Sequence, residues 1–160
     1  MDNIDLEYLK SGKWKFEKPR LQRMYMDFLT KEGFKPELED QGDIAFKYQD
    51  MWYCIEIYDE DLEFGRICLM VETEFGEDII YAHIAASKTS GSMKLVKAYI
   101  RDGDEKIDGK EFAVFTVGFL LIDPGHFKKH FQRMVDEIQE AYNEFNEIMK
   151  QLLIEEDGEE

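Results

Sequence analysis

The sequence predicts an α+β fold, an antiparallel five-stranded sheet packed by helices in the order α-β-β-β-α-β-β-α. Three observations point there. Between Asp43 and Thr73 apolar and polar side chains alternate with a period of two, interrupted only by short turns, as in antiparallel strands joined by hairpins. Towards both ends of the chain apolar residues recur every three or four positions instead, the spacing of one helix face. The run Glu111–Leu121 is apolar at nearly every position, which requires a strand covered on both faces.

Residues 1–18 read as an N-terminal extension. Ile4, Leu6, Tyr8, Leu9, Trp14 and Phe16 are apolar, Gly12 interrupts them, and the aromatic pair is expected to dock on the domain. Residues 19–154 form the single domain. Pro19 opens its first helix, in which Leu21, Met24, Tyr25, Phe28 and Leu29 share a face and Gly33 marks the stop. Asp43–Gln49, Trp52–Tyr58 and Arg66–Thr73 are the first three strands, with turns at Asp50-Met51 and in the acidic run Asp59–Glu63. Residues 77–89 carry Ile79, Ile80, His83 and Ile84 at helical spacing and end at Thr89-Ser-Gly-Ser. Met93–Arg101 and Glu111–Leu121 are the fourth and fifth strands, joined by a polar loop.

The last helix, Asp123–Leu153, has a clear start. Asp123 suits the cap and Pro124 the first helical position. Phe127, Phe131, Met134, Ile138, Tyr142, Phe145, Met149 and Leu152 line one face. At 1.5 Å per residue it would run ~45 Å, against a radius of gyration of about 15 Å for a domain of this length. Residues 155–160 form an acidic tail, expected to be disordered and to fray the last turn, because acid at a helix C-terminus opposes its dipole.

With 160 residues, 44% of them hydrophobic and 14% aromatic, the chain can bury a core without a metal or disulfide. Its 36 acidic residues against 20 basic, a net charge of −16, argue against nucleic acid or an anionic membrane as partner. The N-terminus does not read as a signal peptide, and no apolar run is long enough to span a membrane, so a cytoplasmic location is expected.

No catalytic centre is legible. His126 and His130 stand four apart, but His-Phe-Lys-Lys-His lacks the glutamate of a zinc hydrolase motif. In the loop Asp102–Gly109, alignment to a calcium-binding pattern places Lys106 at a ligand position and Phe115 where a bidentate glutamate belongs. Cys54 and Cys68 lack metal-ligand spacing and read as small apolar strand residues. The expectation is a non-enzymatic protein with no cofactor and no metal.

The second face of the sheet is more informative. If Tyr53, Ile55 and Ile57 face the helices, then Trp52, Cys54 and Tyr58 face away, joined by Cys68 and Met70 from the third strand. A contiguous apolar patch of this kind marks an interface, unless the N-terminal extension covers it. The expected protein-interface residues are Trp52, Cys54, Tyr58, Cys68, Met70, Phe115, Phe119, Phe145 and Met149.

Several stretches carry a resemblance to a known group. These are Phe28-Leu-Thr-Lys-Glu-Gly-Phe closing the first helix, the strand pair Gly42-Asp-Ile-Ala-Phe-Lys and Trp52-Tyr-Cys-Ile-Glu-Ile, and the passage from Ala85-Ala-Ser-Lys to Met93-Lys-Leu-Val-Lys-Ala-Tyr-Ile. From about Leu21 to Leu153 the chain resembles the YbjN-like bacterial proteins of the type III secretion chaperone-like superfamily. It departs from an effector chaperone in its N-terminal extension and long last helix. The resemblance implies a small acidic protein, often a homodimer, that binds polypeptide segments and has no catalytic residues. The function expected is therefore a binding module that holds a partner polypeptide, or a second copy of itself, through the apolar sheet face. The alternative is a regulatory or ligand-sensing domain with a pocket between sheet and helices, lined by residues such as His83 and Tyr99.

Overall fold

The structure, a computed structural model, describes residues 17–121 and 123–158. Its elements are α1 (Lys18–Lys31), β1 (Glu37–Leu38), β2 (Ile44–Tyr48), β3 (Met51–Tyr58), β4 (Asp61–Glu72), α2 (Ile79–Ser92), β5 (Lys97–Arg101), β6 (Phe112–Leu120) and α3 (Pro124–Gly158). The expected docking of Trp14 and Phe16 lies outside the described residues. The class is α+β, but the sheet has six strands rather than five, in the order β1-β2-β3-β4-β6-β5. The element order is correspondingly α-β-β-β-β-α-β-β-α.

The additional strand is β1. Its two residues pair antiparallel with β2, Glu37 opposite Ala45 and Leu38 opposite Ile44, and both are exposed. No alternation exists in so short a segment. It is a strand only because β2 offers it an edge. A two-residue edge strand gives little template for pairing with another chain.

The β2–β3 hairpin closes over Gln49 and Asp50, one position earlier than expected. Both have positive φ, 49° and 64°, and the ladder ends at Tyr48 opposite Met51. A two-residue loop with both residues left-handed matches the twist of the flanking strands. β4 begins at Asp61, so the acidic turn is shorter than the sequence suggests.

The chain divides into two compact units. The first contains α1, β1–β3, β4 up to Ile67, and Gly118–Arg133. Its core is aromatic. Tyr25 and Phe28 of α1 meet the Phe127 ring edge-on at 5.0 and 5.4 Å, and Phe28 meets Phe131 at 5.2 Å. Phe46 of β2 stacks on Tyr53 of β3 at 5.6 Å. Asp123 Oδ1 accepts a hydrogen bond from the His126 amide at 3.0 Å, the helix start that Asp123-Pro124 predicts.

The second unit contains the rest of β4, α2, β5, most of β6, and α3 from Met134 onward. Phe115 of β6 packs edge-on against Tyr142 and Phe145 of α3, at 5.7 and 5.5 Å. α2 packs on β5, and its buried residues are Ala82, Ala85, Ala86 and Thr89. Ser90 Oγ accepts a hydrogen bond from the Ala98 amide (2.7 Å) and donates one to the Ala98 carbonyl (2.9 Å). One hydroxyl thus satisfies both polar groups that the edge strand β5 turns outward at this residue. α3 ends at Gly158, five residues beyond the expected Leu153.

Candidate binding surface

Alternation on β3 decides what faces where in the first unit. Tyr53, Ile55 and Ile57 are buried, whereas Trp52 is 50% exposed and Cys54, Glu56 and Tyr58 are half-buried. Across the ladder Trp52 lies opposite Lys47, and Cys54 opposite Ala45. At about 3.3 Å per residue, Trp52 and Tyr58 stand roughly 20 Å apart along one strand face.

The Tyr58 end of this face is fixed by polar contacts. Arg66 Nη2 donates to both Glu56 oxygens at 3.0 and 3.1 Å, and the Tyr58 hydroxyl donates to Glu56 Oε2 at 2.8 Å. Such a bidentate pair holds both side chains in one geometry. The Tyr58 ring tilts against Phe64 at 5.3 Å. Phe64 lies so close over Gly118 that a Cβ there would come within 3.1 Å of its ring. Among the described residues the Trp52 end shows no such hydrogen-bonded cluster, and Trp52 is 50% exposed.

Asp43 supports the same strand from its other edge. Its Oδ1 accepts a hydrogen bond from the Ile57 amide at 2.9 Å. Partial burial raises its carboxyl above the ordinary range. Nearby Glu56 and Asp59 act in the same direction, while the Ile57 hydrogen bond and Lys18 oppose it. Burial likewise pushes the Tyr25 phenol up.

The other expected interface residues are placed differently. Phe115 is fully buried and Phe145 nearly so, and they pack on each other within the second unit. Phe119 lies over Gly65 and against Phe127 at 5.2 Å, within the first unit. Cys68 is buried and Met70 half-buried. On β6 both parities are apolar, so the sequence does not tell which set faces the helices. Phe115 and Phe119 belong to that inner set. The residues that sequence reasoning missed are Phe64 and the Glu56–Arg66 pair. Phe64 falls between the acidic run read as a turn and the expected strand start at Arg66, while Glu56 and Arg66 lie within expected strands and only their pairing across β3 and β4 was not legible.

Met149 is half-buried and lines a cleft of ≈ 250 Å³ in the second unit. Val71, Phe75, Ala113, Tyr142, Phe145 and Leu153 form its apolar wall, and Thr73, Glu74, Asp78 and Asn146 supply polar groups. Neither His83 nor Tyr99 lines it. His83 is exposed on α2 with Nε2 3.1 Å from Asp102 Oδ2, and the Tyr99 ring lies under Lys97. Among the described residues no three His, Cys, Asp or Glu side chains converge to hold a metal ion. The rings of His126 and His130 are 6.2 Å apart. Among the same residues no helix is long and apolar enough to cross a membrane.

No protein-family model matches the chain, and no curated protein matches it in sequence. In three dimensions it is similar to the crystal structure of YbjN from E. coli, a proposed transcription regulator. That similarity has a TM-score of 0.63 and 14% identity over 75% of this chain and 86% of that one. At this identity the likeness extends to the fold alone, and the fold of this chain is YbjN-like.

Proposed function

We propose that this protein is a non-enzymatic binding module that holds a partner polypeptide on the outer face of β2 and β3, centred on Trp52. One observation carries the reading. A tryptophan stands half exposed at the hairpin end of β3, on a face whose far end is fixed by the Glu56–Arg66–Tyr58 cluster. Tryptophan is among the residues most enriched where proteins bind one another, because it offers a large rigid apolar surface and one donor. The net charge of −16 favours basic or neutral partner segments. The bacterial setting that the YbjN-like resemblance implies, and the cytoplasmic location expected from the sequence, belong to the same proposal.

The reading is tested with Trp52→Asp. The variant should keep the circular dichroism of the parent, since Trp52 lies outside the buried core, and lose most of its affinity for an unfolded basic chain. Unchanged affinity overturns the assignment of this face.

The cleft in the second unit favours a second reading, a ligand-sensing domain. Its mixture of apolar wall and convergent polar groups fits a small molecule. Its volume of ≈ 250 Å³ falls below the roughly 300–1,000 Å³ of ordinary ligand pockets, so the sheet face leads.

A further inference from the structure

The second unit contains a surface whose chemistry differs from the rest of the chain. From Ile79 to Arg101 there is no aspartate or glutamate, in a protein that carries 36 of them, and the segment bears Lys88, Lys94, Lys97 and Arg101. Its helix, α2, is inverted in size. The face turned inward is Ala82, Ala85, Ala86 and Thr89, and the face turned outward carries Ile80 at 69% exposure and Ile84 at 37%. Ile80, Ile84, Ser87 and Gly91 follow one another at helical spacing on that outer face, and Lys88 borders them. Lys94 and the exposed Leu95 follow directly.

Among the described residues Lys88 and Lys94 make no ion pair, although carboxylates outnumber cations almost two to one. Asp102 pairs with His83 and Glu144 accepts from Ser92 Oγ at 2.8 Å, and Glu77 and Asp78 stand before the first turn of α2, at the end away from Lys88 and Lys94. The result is an apolar stripe edged by unpaired cations.

The complementary surface is on the same chain. The last turns of α3 present Ile154, 60% exposed, followed by Glu155, Glu156 and Asp157, all exposed and without ion pairs among the described residues. Three carboxylates at a helix C-terminus stand at the negative end of its dipole, where cations are favoured. Within one chain neither surface covers the other, since both remain exposed. α3 is helical through Gly158 and has no slack in which to fold back.

We infer that the outer face of α2, with Lys88 and Lys94, receives the acidic C-terminal end of α3 from a second copy of this chain. Each copy gives one helix end and takes one, so the contact is made twice around a twofold axis and closes as a dimer. Ile154 would lie against Ile80 and Ile84, with Glu155 and Glu156 against Lys88 and Lys94. This surface is made of other residues than the Trp52 face, and neither reading depends on the other.

Charge reversal tests the inference through the mass of the species in solution, measured by sedimentation equilibrium at low salt. The parent chain should be a dimer there and dissociate at about 1 M salt, where the Debye length falls to about 3 Å. Lys88→Glu/Lys94→Glu should weaken dimerisation about tenfold or more, and so should Glu155→Lys/Glu156→Lys, because attraction becomes repulsion at two equivalent contacts. An equimolar mixture of the two variants should dimerise again, since every patch then meets a tail of opposite sign. All four positions are exposed, so folding is preserved. A monomeric parent at low salt, a dimer indifferent to either reversal, or a mixture that stays monomeric would each overturn the inference. The last result assigns the basic surface to an acidic partner other than this chain.

Discussion

The ring of Phe119 lies directly over Gly65, so close that a Cβ on Gly65 would stand 2.5 Å from the ring's Cζ. Phe127 packs against the same ring, tilted, at 5.2 Å. Glycine is therefore required in β4 for a packing reason, with no demand on its backbone dihedrals. Gly65→Ala should destabilise the protein by about 1–3 kcal/mol, the usual cost of overfilling a packed site. Phe119→Leu, added to Gly65→Ala, should recover part of that loss, because neighbouring substitutions do not add. Urea unfolding of the single and double variants measures both effects. Strict additivity would contradict the steric account.

Asp43 gives the first unit a pH dependence of known sign. Its carboxyl is raised above the ordinary value of 3.8, chiefly by burial, so the folded chain holds this proton more tightly than the unfolded chain. The contribution to stability is fully present below the ordinary value and is lost as pH rises through the folded one. At neutral pH the ionised Asp43 thus opposes folding. Asp43→Asn keeps an oxygen for the Ile57 amide and removes the charge. Its urea midpoint should exceed the parent's at pH 7, and the gap should close as the pH is lowered to about 3. A gap that widens on acidification would contradict this.

Ser90 serves the Ala98 amide and carbonyl at once. Ser90→Ala leaves both groups on the sheet edge without their partner, a cost of about 1–2 kcal/mol. Thermal melting should fall by a few degrees, about 2–4 °C per kcal/mol for a chain of this size. An unchanged melting temperature would show that water replaces the hydroxyl without loss.

Much of this fold was legible because the deciding chemistry is local. Asp123-Pro124 specifies a helix start from two adjacent residues, and the alternation of β3 assigns Tyr53, Ile55 and Ile57 inward without reference to any partner. What escaped the sequence is decided at a distance. Glu37-Leu38 is a strand only through Ala45 and Ile44. The parity of β6 is undetermined where every residue is apolar, so Phe115 and Phe119, expected at an interface, lie against α3 instead. The outward isoleucines of α2 were missed because alanine does the packing on its inner face, where large side chains are expected.

The binding reading is tested most directly at Trp52 itself. The sequence holds two tryptophans, Trp14 and Trp52, so a Trp14→Phe chain reports on Trp52 alone. A permanently unfolded basic polypeptide, reduced and S-carbamidomethylated ribonuclease A, is titrated into that protein at physiological salt while tryptophan emission and acrylamide quenching are followed. The binding account predicts a blue shift of the emission and a saturable loss of quenching as the half-exposed ring is covered. Emission and quenching that stay constant through the titration would contradict it.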